Sequence, residues 1–429
     1  MKRILLGLIG LLVVGALGVY ALYWRPAIAA IAPPPATAFS PQLVAQGAQL
    51  AGMGNCAACH TVKGGADFAG GRGLATPFGT IYATNITPDA QTGIGGWSQD
   101  AFKRAMREGV RRDGAHLFPV FPYTHFARVS DEDLTSLYAY FMTRPAVHAE
   151  APANTVPFPL NVRALQAGWK LLFFDKGLYR ANAAKSPEWN RGAYLAEGLG
   201  HCAACHTPRN LAGAEIANKP YLGAKIDGWF APALTAANTS PLPWSEAELY
   251  ALLRSGASTL HGTAAGPMSQ VVHEGLAKMP DADIHAIAAY FADVDGAAQS
   301  PVNAGAVQAR VLATSGQAVA QYGDHGAALY LAACASCHSN SDGRASALRP
   351  ELGFNSALSA ADPTNLLQVI VHGIGRDEGA PGLMMPGFGA TMSNRDIAEL
   401  AHYLRRSRGT QPQWTNVDDT LAAVRKSQP

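Results

Sequence analysis

Six cysteines occur in three arrangements of the same spacing, each followed at once by a histidine. The motifs are Cys56-Ala57-Ala58-Cys59-His60, Cys202-Ala203-Ala204-Cys205-His206 and Cys334-Ala335-Ser336-Cys337-His338. In a CxxCH motif the two thiols add to the vinyl groups of a haem, and the adjacent histidine ligates the iron. We therefore predict three covalent haem c groups, attached at Cys56, Cys59, Cys202, Cys205, Cys334 and Cys337, with proximal ligands His60, His206 and His338.

Other chemistries of paired cysteines fit this pattern poorly. A redox dithiol or a zinc site does not require a histidine after every pair, and a disulfide framework does not repeat one local spacing. No nucleophile–base arrangement, P-loop or dinucleotide fingerprint occurs in the sequence. The sequence therefore predicts electron transfer and no catalytic site of its own.

Two methionine-containing loops could supply the second axial ligands. In the third repeat, Met384 and Met385 precede Pro386, and we predict Met385 because a Met-Pro pair in a glycine-flanked loop holds the sulfur rigidly. In the second repeat the loop that runs from Gly262 to Met268 has the same character, and Met268 is preferred to Met279. The alternative for each methionine is a role in core packing.

The first repeat has no methionine in the corresponding stretch, which runs from Leu117 to Phe126. His125 lies in this stretch with His116 nearby, and we predict His125 as the distal ligand; the alternative is a surface histidine. Two histidine ligands give a lower reduction potential than a histidine and a methionine, so the first haem is expected to have the lowest potential.

An internal repeat supplies the elements that position these residues. Each copy begins with a short helical stretch before the motif and ends with an amphipathic helix, predicted over Asp131 to Met142, Asp281 to Phe291 and Ser393 to Leu404. We predict an all-α fold, with three tandem cytochrome c domains after an N-terminal transmembrane helix. The predicted ranges are 1–30 for the membrane anchor and 39–145, 185–296 and 316–408 for the domains.

The N-terminal stretch determines the expected location. Ile4 to Trp24 carries no charge and would be about 31 Å long as a helix, enough to cross a bilayer. Lys2 and Arg3 favour a cytoplasmic N-terminus. The alternative is a signal peptide cleaved after Ala27-Ile28-Ala29. In both cases the haem domains are exported, and we expect them on the periplasmic side of the inner membrane.

The charge balance excludes one class of partner. The chain has 33 Lys and Arg and 31 Asp and Glu, a net charge of +2. It contains no block of basic residues, so we expect no nucleic-acid partner.

The motifs together resemble those of a known family. The three CxxCH units, the Asn85-Ile86-Thr87-Pro88-Asp89 loop with Trp97, and the Gly-Pro-Met and Met-Pro-Gly-Phe loops are similar to those of the membrane-bound triple-haem cytochrome subunits of periplasmic dehydrogenases. These include alcohol, gluconate and aldehyde dehydrogenases of acetic acid bacteria. The resemblance covers nearly the whole chain. It implies a large dehydrogenase subunit that oxidises the substrate and ubiquinone that receives the electrons.

The family divides by the cofactor of the partner. In the alcohol dehydrogenase type the first domain usually has methionine where Phe121 stands here. The stretch Phe121 to Phe126, with Trp24-Arg25-Pro26-Ala27, is more similar to the branch that serves molybdopterin aldehyde or N-heterocycle dehydrogenases, which implies a small iron–sulfur subunit as well. Quinoprotein alcohol or flavoprotein sugar-acid dehydrogenases, a freestanding quinol-linked electron shuttle and an open first haem that binds a small ligand are the alternatives.

Overall fold

The structure, a computed structural model, describes residues 23–426 apart from 322, 341–345, 347–349, 376–377, 379–381 and 383, together with Gly15, Gly18 and Tyr20. The chain divides into two compact units. The first comprises Met1–Ala181 and Glu197–His201, and the second comprises Asn182–Ala196 and Cys202–Pro429.

The first unit is mostly helical. Its helices are α1 (Pro41–Met53), α2 (Cys56–His60), α3 (Gln99–Glu108), α4 (Tyr123–Phe126), α5 (Asp131–Met142) and α6 (Leu165–Phe173). Its strands β1 (Gly73–Thr76) and β2 (Gly79–Tyr82) form an antiparallel hairpin in which Gly73 lies opposite Tyr82. Ser130 caps α5 because its hydroxyl accepts a hydrogen bond from the Asp133 N–H at 3.1 Å.

Helices α1 and α5 cross at Gly47. A Cβ atom at this position would lie 2.0 Å from the carbonyl oxygen of Ser136, so only glycine lets the two backbones approach so closely. Leu134 and Leu137 on α5 are fully buried. The crossing therefore fixes the helix that leads into the first CxxCH motif.

The second unit contains the second and third repeats. Its helices are α7 (Pro187–Glu197, whose last residue belongs to the first unit), α8 (Ala203–His206), α9 (Glu246–Ser255), α10 (Pro267–Gln270), α11 (Asp281–Asp295), α12 (Ala304–Gln321), α13 (His325–Ala333), α14 (Ala335–His338), α15 (Ser356–Ser359), α16 (Thr364–His372), α17 (Asn394–Arg408) and α18 (Val417–Lys426). Its antiparallel hairpins pair β3 (Ala224–Ile226) with β4 (Trp229–Ala231) and β5 (Ala257–Ser258) with β6 (Gly262–Thr263).

The close helix crossing recurs in both repeats of this unit. A Cβ atom at Gly192 of α7 would lie 1.9 Å from the Ala286 oxygen of α11, and one at Gly326 of α13 would lie 2.6 Å from the Glu399 oxygen of α17. Each repeat therefore uses a glycine before its motif to pack its first helix on its last.

Side-chain hydrogen bonds join the second repeat to the third. The Asn365 amide of α16 bonds to both backbone groups of Phe230 on β4, at 2.8 and 2.7 Å. Gln368 donates to the Gly228 oxygen at 2.8 Å. These contacts account for the merging of two repeats into one compact unit.

The predicted fold class is wrong at its N-terminal element. Within the described part of the chain no helix is both long enough and apolar enough to cross a membrane. The longest helix there, α12, has 18 residues, whereas about 20 predominantly apolar ones are needed. The predicted segment, Ile4 to Trp24, lies mostly outside the described residues. The corrected description is a mostly helical chain with short β-hairpins and no transmembrane helix among its described residues. The predicted domain ranges stay predictions.

Candidate haem-binding sites

Each CxxCH motif forms one helical turn. Helix α2 contains the whole first motif, while Cys202 and Cys334 directly precede α8 and α14. Residues three and four apart lie on one face of a helix, so both thiols and the histidine of each motif face the same side. None of the six cysteines, all of which lie in the described part of the chain, forms a disulfide.

The first thiol of each motif is a neutral group. Burial raises the pKa of Cys56 and Cys202 to about 12 and that of Cys334 to about 11. A redox-active dithiol needs a lowered thiol pKa, because the thiolate is the nucleophile. The neutral first thiols, which form no disulfide, fit thioether attachment better than disulfide exchange.

Each of the three predicted proximal histidines makes the same kind of hydrogen bond. Nδ1 of His60 lies 2.6 Å from the Thr84 oxygen, Nδ1 of His206 lies 2.7 Å from the Pro232 oxygen, and Nδ1 of His338 lies 3.1 Å from the Pro350 oxygen. A carbonyl oxygen only accepts, so each Nδ1 carries the proton and each Nε2 has a lone pair for iron. Burial lowers the pKa of all three imidazoles, which keeps them neutral. The residues present therefore fit a covalent haem.

Both predicted methionine ligands are half-buried. Met268 is on α10, after Gly266, whose φ of 55° is in the left-handed region. Met385 pairs with Ile374 through two backbone hydrogen bonds, 2.9 and 3.0 Å long. The rejected candidates differ from them, since Met279 is 3% exposed and Met384 is 64% exposed. Assignment of the ligands stays a prediction.

His125 and His116 of the first repeat have different surroundings. His125 on α4 is 7% exposed, and its Nδ1 lies 3.1 Å from the Glu197 oxygen. This is the same kind of contact as at the proximal histidines. His116 has protein partners at both nitrogens, the Tyr23 oxygen and the Lys170 ammonium. Both nitrogens of His116 are therefore engaged, and the role of His125 as the distal ligand stays a prediction.

Comparison with known proteins agrees with this geometry. The family described as "Cytochrome c" matches residues 44–145 and 190–295, and the family described as "Cytochrome C oxidase, cbb3-type, subunit III" matches residues 321–404. A nicotinate dehydrogenase subunit of Pseudomonas putida is 46% identical over 410 residues, which cover 94% of this chain and 34% of that protein. This chain thus spans about a third of the length of that relative.

Two further relatives match over nearly their whole length. The gluconate 2-dehydrogenase cytochrome c subunit of Pantoea cypripedii is 39% identical over 90% of both chains. The fructose dehydrogenase cytochrome subunit of Gluconobacter japonicus is 37% identical, over 90% of this chain and 83% of its own.

The chain belongs to the cytochrome c subunits of dehydrogenases. The cytochrome is therefore an electron-transfer subunit with covalently bound haem c, and the catalytic activity of such a complex lies on other subunits.

Several buried polar residues of the cytochrome were not found by sequence reasoning. Lys170, Glu351 and Arg408 are each less than 9% exposed. His201 lies directly before the second motif with a φ of 35°, as Asn55 does before the first with 46°. The sequence does not show that a non-glycine residue beside a motif has a positive φ. The three charged residues were not expected in the interior because charged residues normally lie on the surface.

Proposed function

We propose that the cytochrome holds three haem c groups and transfers electrons to ubiquinone from a periplasmic dehydrogenase that oxidises an aldehyde or an N-heterocycle. That dehydrogenase would consist of a large molybdopterin subunit and a small iron–sulfur subunit. The observation that carries the proposal is the repetition of one site. All three motifs hold two thiols and a histidine on one turn, with Nδ1 bonded to a backbone carbonyl.

Each residue of a site would have its own role in holding the haem. The six motif cysteines would attach the haem, and His60, His206 and His338 would bind iron through Nε2. Met268 and Met385 would be the second ligands in the second and third sites, and His125 in the first. A bound haem c supplies a one-electron iron couple. The protein fixes the imidazole tautomer and holds the ligands in place.

The likeness to the nicotinate dehydrogenase subunit supports an N-heterocycle as the substrate class of the partner. A second candidate is a cytochrome subunit for a quinoprotein alcohol dehydrogenase or a flavoprotein sugar-acid dehydrogenase. It is favoured by the 90% coverage of both chains in the match to the gluconate 2-dehydrogenase cytochrome c subunit. For either candidate we propose that the haem domains lie on the periplasmic side of the inner membrane.

The haem content tests the number of sites. We expect three haems per chain in the purified full-length protein, measured as pyridine haemochrome. Replacing both cysteines of any one motif, for example Cys56→Ala with Cys59→Ala, should remove one third of the absorbance. Ser336→Ala, between the cysteines of the third motif, is the matched control and should remove none. A wild-type content of two haems would contradict the three-site proposal.

The metal content tests the partner. The native complex is solubilised in detergent and purified through this subunit, and its molybdenum and non-haem iron are measured. Molybdenum, with iron beyond that of the haems, supports the aldehyde or N-heterocycle branch. Flavin or a quinone cofactor without molybdenum would contradict that branch and support the second candidate, a quinoprotein or flavoprotein dehydrogenase partner.

A further inference from the structure

The third repeat contains a completely buried ion pair near its motif. Nη1 of Arg408 lies 3.3 Å from Oε1 of Glu351, and the two side chains are 1% and 0% exposed. A buried ion pair carries a large desolvation cost and adds little net stability. The position of the ion pair near the third motif therefore points to a role in function.

The Glu351 carboxylate is held by three further donors. The Ser315 hydroxyl donates to Oε2 at 2.6 Å, the Asn340 amide donates to Oε2 at 3.1 Å, and the Gly353 N–H donates to Oε1 at 3.0 Å. With the guanidinium, this carboxylate accepts four hydrogen bonds. The carboxylate is thus fixed in position.

This charge adjoins the contact that orients His338. Glu351 directly follows Pro350, whose carbonyl oxygen accepts the hydrogen bond from Nδ1 of His338. Asn340, another partner of the carboxylate, lies two residues after His338. The network therefore links Asn340, two residues after the motif histidine, to Glu351.

The other two repeats have no charge at the equivalent position. The residue after the carbonyl partner is Asn85 in the first repeat and Ala233 in the second, and both are buried. The three sites share the orienting carbonyl and differ in the side chain next to it: an amide, a methyl group and a carboxylate.

The carboxylate is closer to His338 in the hydrogen-bond network than the guanidinium is. Glu351 adjoins Pro350, whose carbonyl oxygen accepts from Nδ1 of His338, whereas Arg408 bonds to Ser315 and to Glu351 itself. A negative charge beside a ligating imidazole strengthens it as a ligand and favours the more positive, oxidised iron.

We propose that Glu351 is a positioning residue that lowers the reduction potential of the third haem site, and that Arg408 limits this lowering. The inference rests on the proposed function only in requiring a haem at Cys334, Cys337 and His338. It would make the third site different in potential from the second, although both are predicted to have one histidine and one methionine ligand.

A redox titration of the full-length haem-loaded protein tests the inference. The absorption of the haems is followed against applied potential, and a Cys334→Ala/Cys337→Ala variant identifies the third wave by its loss. We expect Glu351→Gln to raise the midpoint of this wave and Arg408→Gln to lower it, with the other two waves unchanged. Glu399→Gln, which breaks an exposed ion pair on the same helix with Arg395, is the control and should move none.

The opposite signs separate an electrostatic effect from loosened packing. Shifts in one direction for both variants, or no shift, would overturn the inference. Each single variant leaves one buried charge unpaired and is at risk of unfolding. The double variant Glu351→Gln/Arg408→Met removes both charges; its third midpoint should rise, by less than in Glu351→Gln, and an unchanged or lower value would overturn the inference. A wild-type protein without a third haem would instead overturn the proposed function, and this inference with it.

Discussion

The ammonium group of Lys170 lies 2.9 Å from Nδ1 of His116 in the first unit. Lys170 also donates to the carbonyl oxygens of Glu108 and Gly109, at 2.6 and 2.8 Å. Since Lys170 is the donor, Nδ1 of His116 is unprotonated, and its Nε2–H donates to the Tyr23 oxygen at 2.9 Å. Within the described part of the chain this buried lysine bonds to no carboxylate, and it orients a neutral histidine.

This arrangement predicts a pH-dependent stability of the first unit. Burial lowers the pKa of Lys170 to about 7, whereas an unfolded lysine has a pKa of about 10.4. Between these values the unfolded chain binds more protons, so the free energy of unfolding should rise with pH, by up to about 3 kcal/mol from pH 7 to 9.5.

The slope is measured by unfolding the protein in urea at pH 7 and at pH 9.5. Hydrogen exchange of the α3 and α6 amides monitors the unfolding of the first unit. Lys170→Met should remove the slope, and Lys63→Met, at an exposed position of the same unit, should keep it. An equal slope in wild type and Lys170→Met would contradict the assignment.

The helix crossing at Gly47 predicts a large effect of one methyl group. Gly47→Ala should destabilise the first unit by about 1–3 kcal/mol or more, because its Cβ would lie 2.0 Å from the Ser136 oxygen. Gly168→Ala on α6 has no atom within 4 Å of the new Cβ and should be neutral or stabilising by up to about 1 kcal/mol. Thermal unfolding of both variants checks this, and equal melting temperatures would show that the crossing tolerates a side chain.

Two adjacent methionines allow a matched test of the third axial ligand. Met385→Ala should abolish the methionine–iron absorption band of one haem and lower its midpoint potential. Met384→Ala, at a position that is 64% exposed, should leave both unchanged. Loss of the band in Met384→Ala but not in Met385→Ala would show that Met384 is the ligand instead of Met385.

The first site can be tested by a gain of signal. If His125 binds iron, His125→Met should add a methionine–iron band to the spectrum and raise the lowest of the midpoint potentials. The ferric and ferrous spectra and a redox titration measure both effects. A spectrum unchanged from wild type would exclude His125 as the ligand.

The last helices of the repeats show what the sequence predicts well. The predicted range Asp131 to Met142 is that of α5, whereas α11 extends four residues beyond Phe291, to Asp295, and α17 continues to Arg408 beyond the predicted Leu404. Periodic apolar residues and a capping serine define a helix from local sequence alone. The last turn of α17 was missed because its arginines are typical of a solvated surface.

Tertiary contacts bury that turn. Arg405 is 3% exposed and donates to the carbonyl oxygens of Ala360 and Pro412, at 3.1 and 2.8 Å, while Arg408 pairs with Glu351. The acceptors lie between 7 and 57 residues from their arginine along the chain and leave no local pattern. From the sequence, a charged residue is expected on the surface, because its burial requires partners that only the fold brings to it.

The sequence by itself determined the haem chemistry, because the CxxCH spacing places two thiols and an imidazole on a single helical turn wherever that turn lies. It also determined the repeat, since the glycine before each motif and the apolar helix after the ligand loop recur along the chain. Only the tertiary structure decided which carbonyl orients each histidine, that both nitrogens of His116 are engaged, and that Glu351 and Arg408 meet in the interior. Those contacts join residues far apart in the chain, and their energies depend on burial, which a linear pattern does not contain.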